Sequence, residues 1–138
     1  MKEYVLDATA VHRYFGVSEG QGANKVRALF EQAERGQARL SMSVVNLGEV
    51  HYVLLKHVGE PRARHYVQVL QHVAAMVEAD AAQALHAAEM KHKFKLGYAD
   101  SFAAALAVTL KATLVSADPA FENLGKTLKW LRLPKFAQ

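Results

Sequence analysis

Tyr4-Val5-Leu6-Asp7 is the first apolar run of the chain, and Leu114-Val115-Ser116-Ala117-Asp118-Pro119 is its counterpart near the other end. Each reads as a short buried strand that stops at an aspartate where the sequence turns polar. Helical segments fill the space between them. Short apolar strands alternating with helices predict a parallel sheet covered on both faces. The expected fold is therefore three-layer α/β/α with a central, mainly parallel sheet. In such sheets ligands bind beyond the carboxyl ends of the strands, which is where Asp7 and Asp118 fall.

Working outward, residues 8 to 15 read as a brief helix, interrupted by the glycine-rich stretch from Gly16 to Gly22. Asn24 to Arg35 carries Val26, Leu29, Phe30 and Ala33 at helical spacing, and Gly36 stops it. Ala38 to Met42 is a candidate strand. Ser43 can cap a helix to about His57, and Gly59-Glu60-Pro61 breaks it. Arg62 to Ala75 is helical, Met76-Val77 a small strand, and Asp80 caps an alanine-rich helix to about Lys95. Tyr98 to Leu110 is a helix of small side chains. Thr113 to Ser116 is a strand, Pro119 starts a helical turn, and Leu128 to Leu131 is a last strand. No repeat or linker divides the 138 residues, so one domain over 1–138 is expected.

Composition narrows the chemistry. The chain has no cysteine, which excludes disulfides, thiolate zinc sites and cysteine nucleophiles. It shows no secretory or membrane-spanning stretch, so a cytoplasmic location and no membrane partner are expected. The net charge is +4 with a pI near 9.4. That modest excess suits a polyanionic partner, and more so if several of the 13 acidic residues are withdrawn into one pocket.

Asp7, Asp100 and Asp118 each stand where an apolar segment meets a turn or a helix start, and Glu49 lies within the helix after Ser43. Each aspartate has a plain alternative as a helix cap or first-turn acid. Asp80, which follows no buried strand, is most simply a cap. Glu49 has no such alternative, and it shares a helix face with Asn46, three residues earlier. If the four converge, two charges about 5 Å apart repel by about 3 kcal/mol at an effective dielectric of roughly 20. Six such pairs amount to about 15 kcal/mol, comparable to the whole stability of a small domain. The cluster must take up protons or a hard divalent cation such as Mg2+ or Mn2+. Thr9 and Ser116, two residues from Asp7 and Asp118, can orient a carboxylate or bond the local backbone.

With these residues in place, the chain resembles the PIN-domain nucleases, and among them the VapC-type toxins of toxin–antitoxin pairs. The resemblance spans nearly the full length. It rests on Tyr4-Val5-Leu6-Asp7 with Thr9, on Ser43-Val44-Val45-Asn46-Leu47-Gly48-Glu49, on Leu96-Gly97-Tyr98-Ala99-Asp100-Ser101-Phe102, and on Leu114-Val115-Ser116-Ala117-Asp118-Pro119-Ala120-Phe121. It implies that Asp7, Glu49, Asp100 and Asp118 are metal-binding and catalytic acids, with Thr9 and Ser116 as supporting hydroxyls. It implies Mg2+- or Mn2+-dependent hydrolysis of RNA, a cognate antitoxin and a homodimer. Ala8 departs from the polar residue that many members carry.

Phosphate grip would come from Arg13, Lys91, Lys93, Lys95, Lys126, Lys129, Arg132 and Lys135, each of which can equally be a solvated surface charge. The seven histidines lack a paired spacing beside the acids and read as surface or satisfied core groups. Val11, Tyr14, Phe15, Leu54 and Leu55 can serve an interface or the core. Haloacid-dehalogenase-like phosphatases need an acid at the position of Thr9, and phosphoaspartate receivers need an acidic pair that is not seen. The rival from another class is a PIN-like module that binds RNA or protein without cutting it.

Overall fold

A computed structural model describes residues 1–134. Lys135 lies outside the described residues. The elements are β1 (Lys2–Leu6), α1 (Ala8–Phe15), α2 (Ala23–Glu34), β2 (Ala38–Ser43), α3 (Val44–Val58), α4 (Glu60–Val73), β3 (Ala74–Val77), α5 (Ala81–Phe94), α6 (Tyr98–Leu110), β4 (Thr113–Ser116), a 3-10 segment (Pro119–Thr127) and β5 (Trp130–Arg132). The strands form one sheet in the order β3-β2-β1-β4-β5, and every pairing is parallel. The fold is the three-layer α/β/α arrangement expected from the alternation.

Successive strand residues point to opposite faces, and that alternation divides the core in two. Leu6 and Val115 join Val26, Phe30, Val50 and Leu54 under α1 to α4. Val5 and Leu114 join Ala104, Leu106 and Phe121 under α5, α6 and the 3-10 segment. Of the residues that could have served an interface, Val11 and Leu54 are fully buried, whereas Leu55 is 40% exposed. Tyr14 and Phe15 pack half-buried against the first core.

Several boundaries differ from the sequence reading. The helix expected over 62–75 starts at Glu60 and ends at Val73, because Pro61 fits the first turn, where its missing N–H is no loss. The break is Gly59 alone, whose positive φ of 79° ends α3 and starts α4. Ala74 and Ala75 are strand because the parallel ladder pairs them with Leu40 and Ser41, overriding alanine's helix preference. β2 likewise runs on to Ser43, which pairs with Val77 and also caps α3 through its hydroxyl at Val45 N, 3.2 Å away. β5 sits at 130–132 rather than 128–131, since its pairing with β4 begins at Trp130 opposite Leu114.

The strand order reverses between β1 and β4. The chain extends outward from β1 through β2 to β3 on one side, then returns to β4 and β5 on the other. That switch point leaves a crevice beyond the carboxyl ends of β1 and β4. Leu114 is fully buried beside it. Leu114→Ala is expected to destabilise the fold by about 2–5 kcal/mol in urea denaturation, from lost burial and the cavity left behind.

Candidate active site

Asp7 leaves β1 still bound to the sheet, its N–H donating to the Val115 carbonyl at 3.2 Å. Its side chain then caps α1, and the carboxylate is 1% exposed. Oδ1 accepts from Thr9 Oγ1 at 2.7 Å and from Ala10 N at 3.0 Å. Oδ2 accepts from the Ser116 hydroxyl. Burial pushes the Asp7 carboxyl up to about 6 and repulsion from Asp118 adds to it, while the Ser116, Thr9 and Ala10 hydrogen bonds work against the rise.

The two hydroxyls also shape the exit from β4. Thr9 Oγ1 accepts from Ala117 N at 2.8 Å, and Ser116 Oγ accepts from Asp118 N at 2.9 Å. Residues more than a hundred apart in sequence are thus joined into one latch. Asp118 then caps the 3-10 segment, its Oδ1 accepting from Ala120 N at 2.9 Å. Asp7 and Asp118 both act as caps, and Asp118 also lies near enough to Asp7 to repel its carboxylate. Asp80 is the plain cap expected, accepting from Gln83 N at 2.8 Å.

Asp100 enters from the first turn of α6, half-buried. Burial is the first cause of a carboxyl pushed up to about 8, followed by hydrogen bonding with Asp118 and by repulsion from Asp118, Asp7 and Glu49. Asp100 thus senses the other three acids, and Asp7 senses Asp118. Gly97 makes room for this group: a Cβ there would lie 3.3 Å from Asp100 Oδ2. Glu49, by contrast, is exposed on α3.

Asn46 matters more than its sequence position suggested. It is fully buried, and its Nδ2 donates both to Glu49 Oε1 and to the Ala99 carbonyl, each at 3.1 Å. One amide thereby ties α3 to α6 next to Asp100. The sequence signal was the i, i+3 spacing from Glu49. His12 is a second correction, a core group left partly unsatisfied. It is 9% exposed and its Nε2 has no partner. Burial lowers its pKa, against a hydrogen bond to the Glu49 backbone, and His57 lowers it further. His51 Nδ1 is likewise buried without a partner.

The basic candidates separate. Arg13 is folded over Gly20, where an added Cβ would meet its guanidinium at 2.2 Å. Arg132 pairs with Glu122 and lies over the Trp130 ring. Lys126 and Lys129 line a cleft of about 860 Å3 with Lys2 and Lys111, at the strands' amino ends. They sit opposite the acids. Lys91, Lys93 and Lys95 lie at the end of α5, just ahead of the α6 turn that carries Asp100.

The donor set suits a hard cation. It offers several carboxylates held together against their repulsion, and the Asn46 Oδ1 is buried without a partner. Among the described residues no three acidic or histidine side chains close into a cage. Electrostatic coupling and direct caging act over different distances, and a Mg2+ ion that keeps several waters needs only one or two carboxylates. The residues therefore fit such an ion.

The PIN domain family profile matches residues 4–127. No curated protein matches the sequence significantly. VapBC2 from Rickettsia felis, solved bound to a promoter DNA fragment, superposes with a TM-score of 0.73 at 16% identity, covering 95% of this chain and 98% of that one. VapBC-5 from Mycobacterium tuberculosis, of a family of toxin–antitoxin systems, gives 0.60 at 17% identity, over 96% and 100%. VapC20 from the same organism, a sarcin-ricin loop cleaving toxin, gives 0.68 at 15% identity, over 88% and 95%.

The raised carboxyls make a signed prediction for metal-free protein. Asp7 and Asp100 hold their protons more tightly when folded, so their contribution to stability is full below about pH 4. It is lost as pH rises through about 6 for Asp7 and about 8 for Asp100. In EDTA, Asp100→Asn should melt close to wild type at about pH 4 and progressively above it toward about pH 8. A melting difference that stays flat with pH would contradict the cluster.

Proposed function

The chain belongs to the PIN domain family, and we propose that it is a metal-dependent ribonuclease that hydrolyses RNA phosphodiester bonds as one domain spanning 1–138. The observation that carries this reading is the hydrogen-bonded latch of Asp7, Thr9 and Ser116, which sets the exits of β1 and β4 and presents Asp118 next to Asp7, with Asp100 close enough to sense both. Carboxyls gathered in this way repel unless a cation or a proton is held among them.

Asp7, Asp100 and Asp118 would hold a Mg2+ or Mn2+ ion, directly or through water, and Glu49 is a further ligand or the group that orients the attacking water. The ion supplies Lewis-acid polarisation and charge neutralisation at the scissile phosphate. This chain's residues do the rest. Thr9 and Ser116 fix both oxygens of Asp7, so that carboxylate needs no reorganisation when substrate arrives. Asn46 restricts Glu49, which is exposed and thus able to exchange a proton with water.

The toxin role in a type II toxin–antitoxin pair is the biological setting that the solved relatives support. A cognate antitoxin and a second copy are its partners. Tyr52 and Leu55, exposed on α3 one and two turns beyond Glu49, offer apolar surface for either. No helix among the described residues is long and apolar enough to cross a membrane, in keeping with a cytoplasmic site of action.

Incubating single-stranded RNA with protein and Mn2+ tests the reading. Wild type should cut the RNA, EDTA should stop it, and Asp100→Asn should lower kcat on the order of a hundredfold or more. The non-catalytic PIN-like module predicts instead that both proteins bind RNA or a protein partner and neither cuts RNA. Asn46→Ala frees Glu49 and leaves the Ala99 carbonyl without its partner. Cleavage should fall about 10- to 100-fold, and chemical denaturation should show a loss of about 1–3 kcal/mol.

A further inference from the structure

Tyr98 is 58% exposed, although it opens the helix that carries Asp100. Its ring is braced edge-on against buried Phe102, with centroids 5.2 Å apart and planes at 77°. It borders a cleft of about 580 Å3 whose other walls are Ala88, Lys91, His92, Lys95 and Leu96. Lys91 is spent on the Leu96 carbonyl at 2.9 Å, which fixes the turn between α5 and α6. Lys95 ends α5 in the left-handed conformation, at a φ of 56°. Among the described residues, neither Lys95 nor His92 pairs with an acid.

A helix carboxyl end attracts cations, which accounts for Lys91, His92 and Lys93. It does not account for an open aromatic face set among them. The core of a protein-docking surface is depleted of charge, so this cleft is a poor fit for a protein. Single-stranded nucleic acid wants the combination present here, a ring for a base and cations for the backbone. Tyr98 and Asp100 share the first turn of α6. Residues two apart on a helix have Cα atoms roughly 5–6 Å apart and leave its axis about 200° apart, so the ring lies on the flank of α6 that faces away from Asp100 and borders the α5 cleft.

We propose that Tyr98 is a shelf on which a base of single-stranded RNA stacks on the α5–α6 flank, outside the acidic crevice, with Lys95 and His92 holding the adjoining phosphate. The proposal rests on the ribonuclease reading and adds a subsite to it. Tyr98 is a positioning residue, so its effect should appear in binding and KM more than in kcat.

The test uses the uncut complex of Asp100→Asn with a short, fluorescently labelled single-stranded RNA, read by anisotropy. Adding Tyr98→Ala should weaken binding about tenfold, and Tyr98→Phe should keep it, because stacking needs the ring alone. RNAs with one abasic position should reproduce the loss at a single site, and that RNA should lose nothing further in Tyr98→Ala. Unchanged affinity in Tyr98→Ala, or losses that add at every abasic position, would overturn the shelf. So would a Tyr98→Ala protein that binds RNA normally but loses a protein partner. If wild type still cuts RNA in either event, the ribonuclease reading stands without the shelf. If wild type neither binds nor cuts RNA, both fall together.

Discussion

One buried carboxylate organises the site. Asp7 is 1% exposed, yet it carries a group that favours water by several kcal/mol. It is tolerated because every side of it is answered: the α1 amide at Ala10, the Thr9 hydroxyl and the Ser116 hydroxyl. The latter two also set the backbone that presents Asp118. Satisfying Asp7 therefore positions its partner. The exits of β1 and β4, adjacent at the switch point of the sheet, are locked together by a requirement that begins with one charge.

Around that latch the acids divide into two kinds. Asp7 is hydrogen-bonded on both oxygens, and these bonds oppose the rise that burial imposes. The causes at Asp100 all act upward: burial, a shared hydrogen bond with Asp118, and three like charges. In the metal-dependent reading proposed above, Asp7 would stand ready to hold a cation, while Asp100 would give up its proton only when one arrives. A net charge of +4 on the whole chain then leaves the exterior more basic than the total, since the acids are gathered at one crevice. Part of that basicity sits with Lys126 and Lys129 at the far end of the sheet. For the RNA substrate proposed above, that overall charge would supply the long-range attraction.

What the sequence made legible follows physical range. Strands ending in Asp7 and Asp118 were visible because burial on both faces demands a continuous apolar run, a purely local signal. The strand at Ala74-Ala75 was not, since alanine carries no strand preference and only pairing with Leu40 and Ser41 makes it one. The acids could be collected because a charge next to a strand end is conspicuous. Asn46 was undervalued for the opposite reason. Its two hydrogen bonds include one to Ala99, 53 residues away, and nothing local announces that. The basic residues were the least legible group. A lysine's reach reveals little about which end of the sheet it will occupy, and Arg13 turned to cover Gly20.

The choice between aspartate and glutamate at each position follows from the same geometry. Capping demands a short side chain, because the carboxylate must bend back to an amide two or three residues on. Asp7 and Asp118 do this while keeping their charge at the crevice. A glutamate at either place would overshoot its amide and leave a helix start unsatisfied next to the core. Asp100 lies against Gly97, where even an added Cβ would stand 3.3 Å from its Oδ2. Glu49 caps nothing, stands exposed on α3 and approaches the other acids from the side. It needs the longer arm, and Asn46 steadies that arm, since an unrestrained glutamate would lose more side-chain freedom on each encounter with substrate.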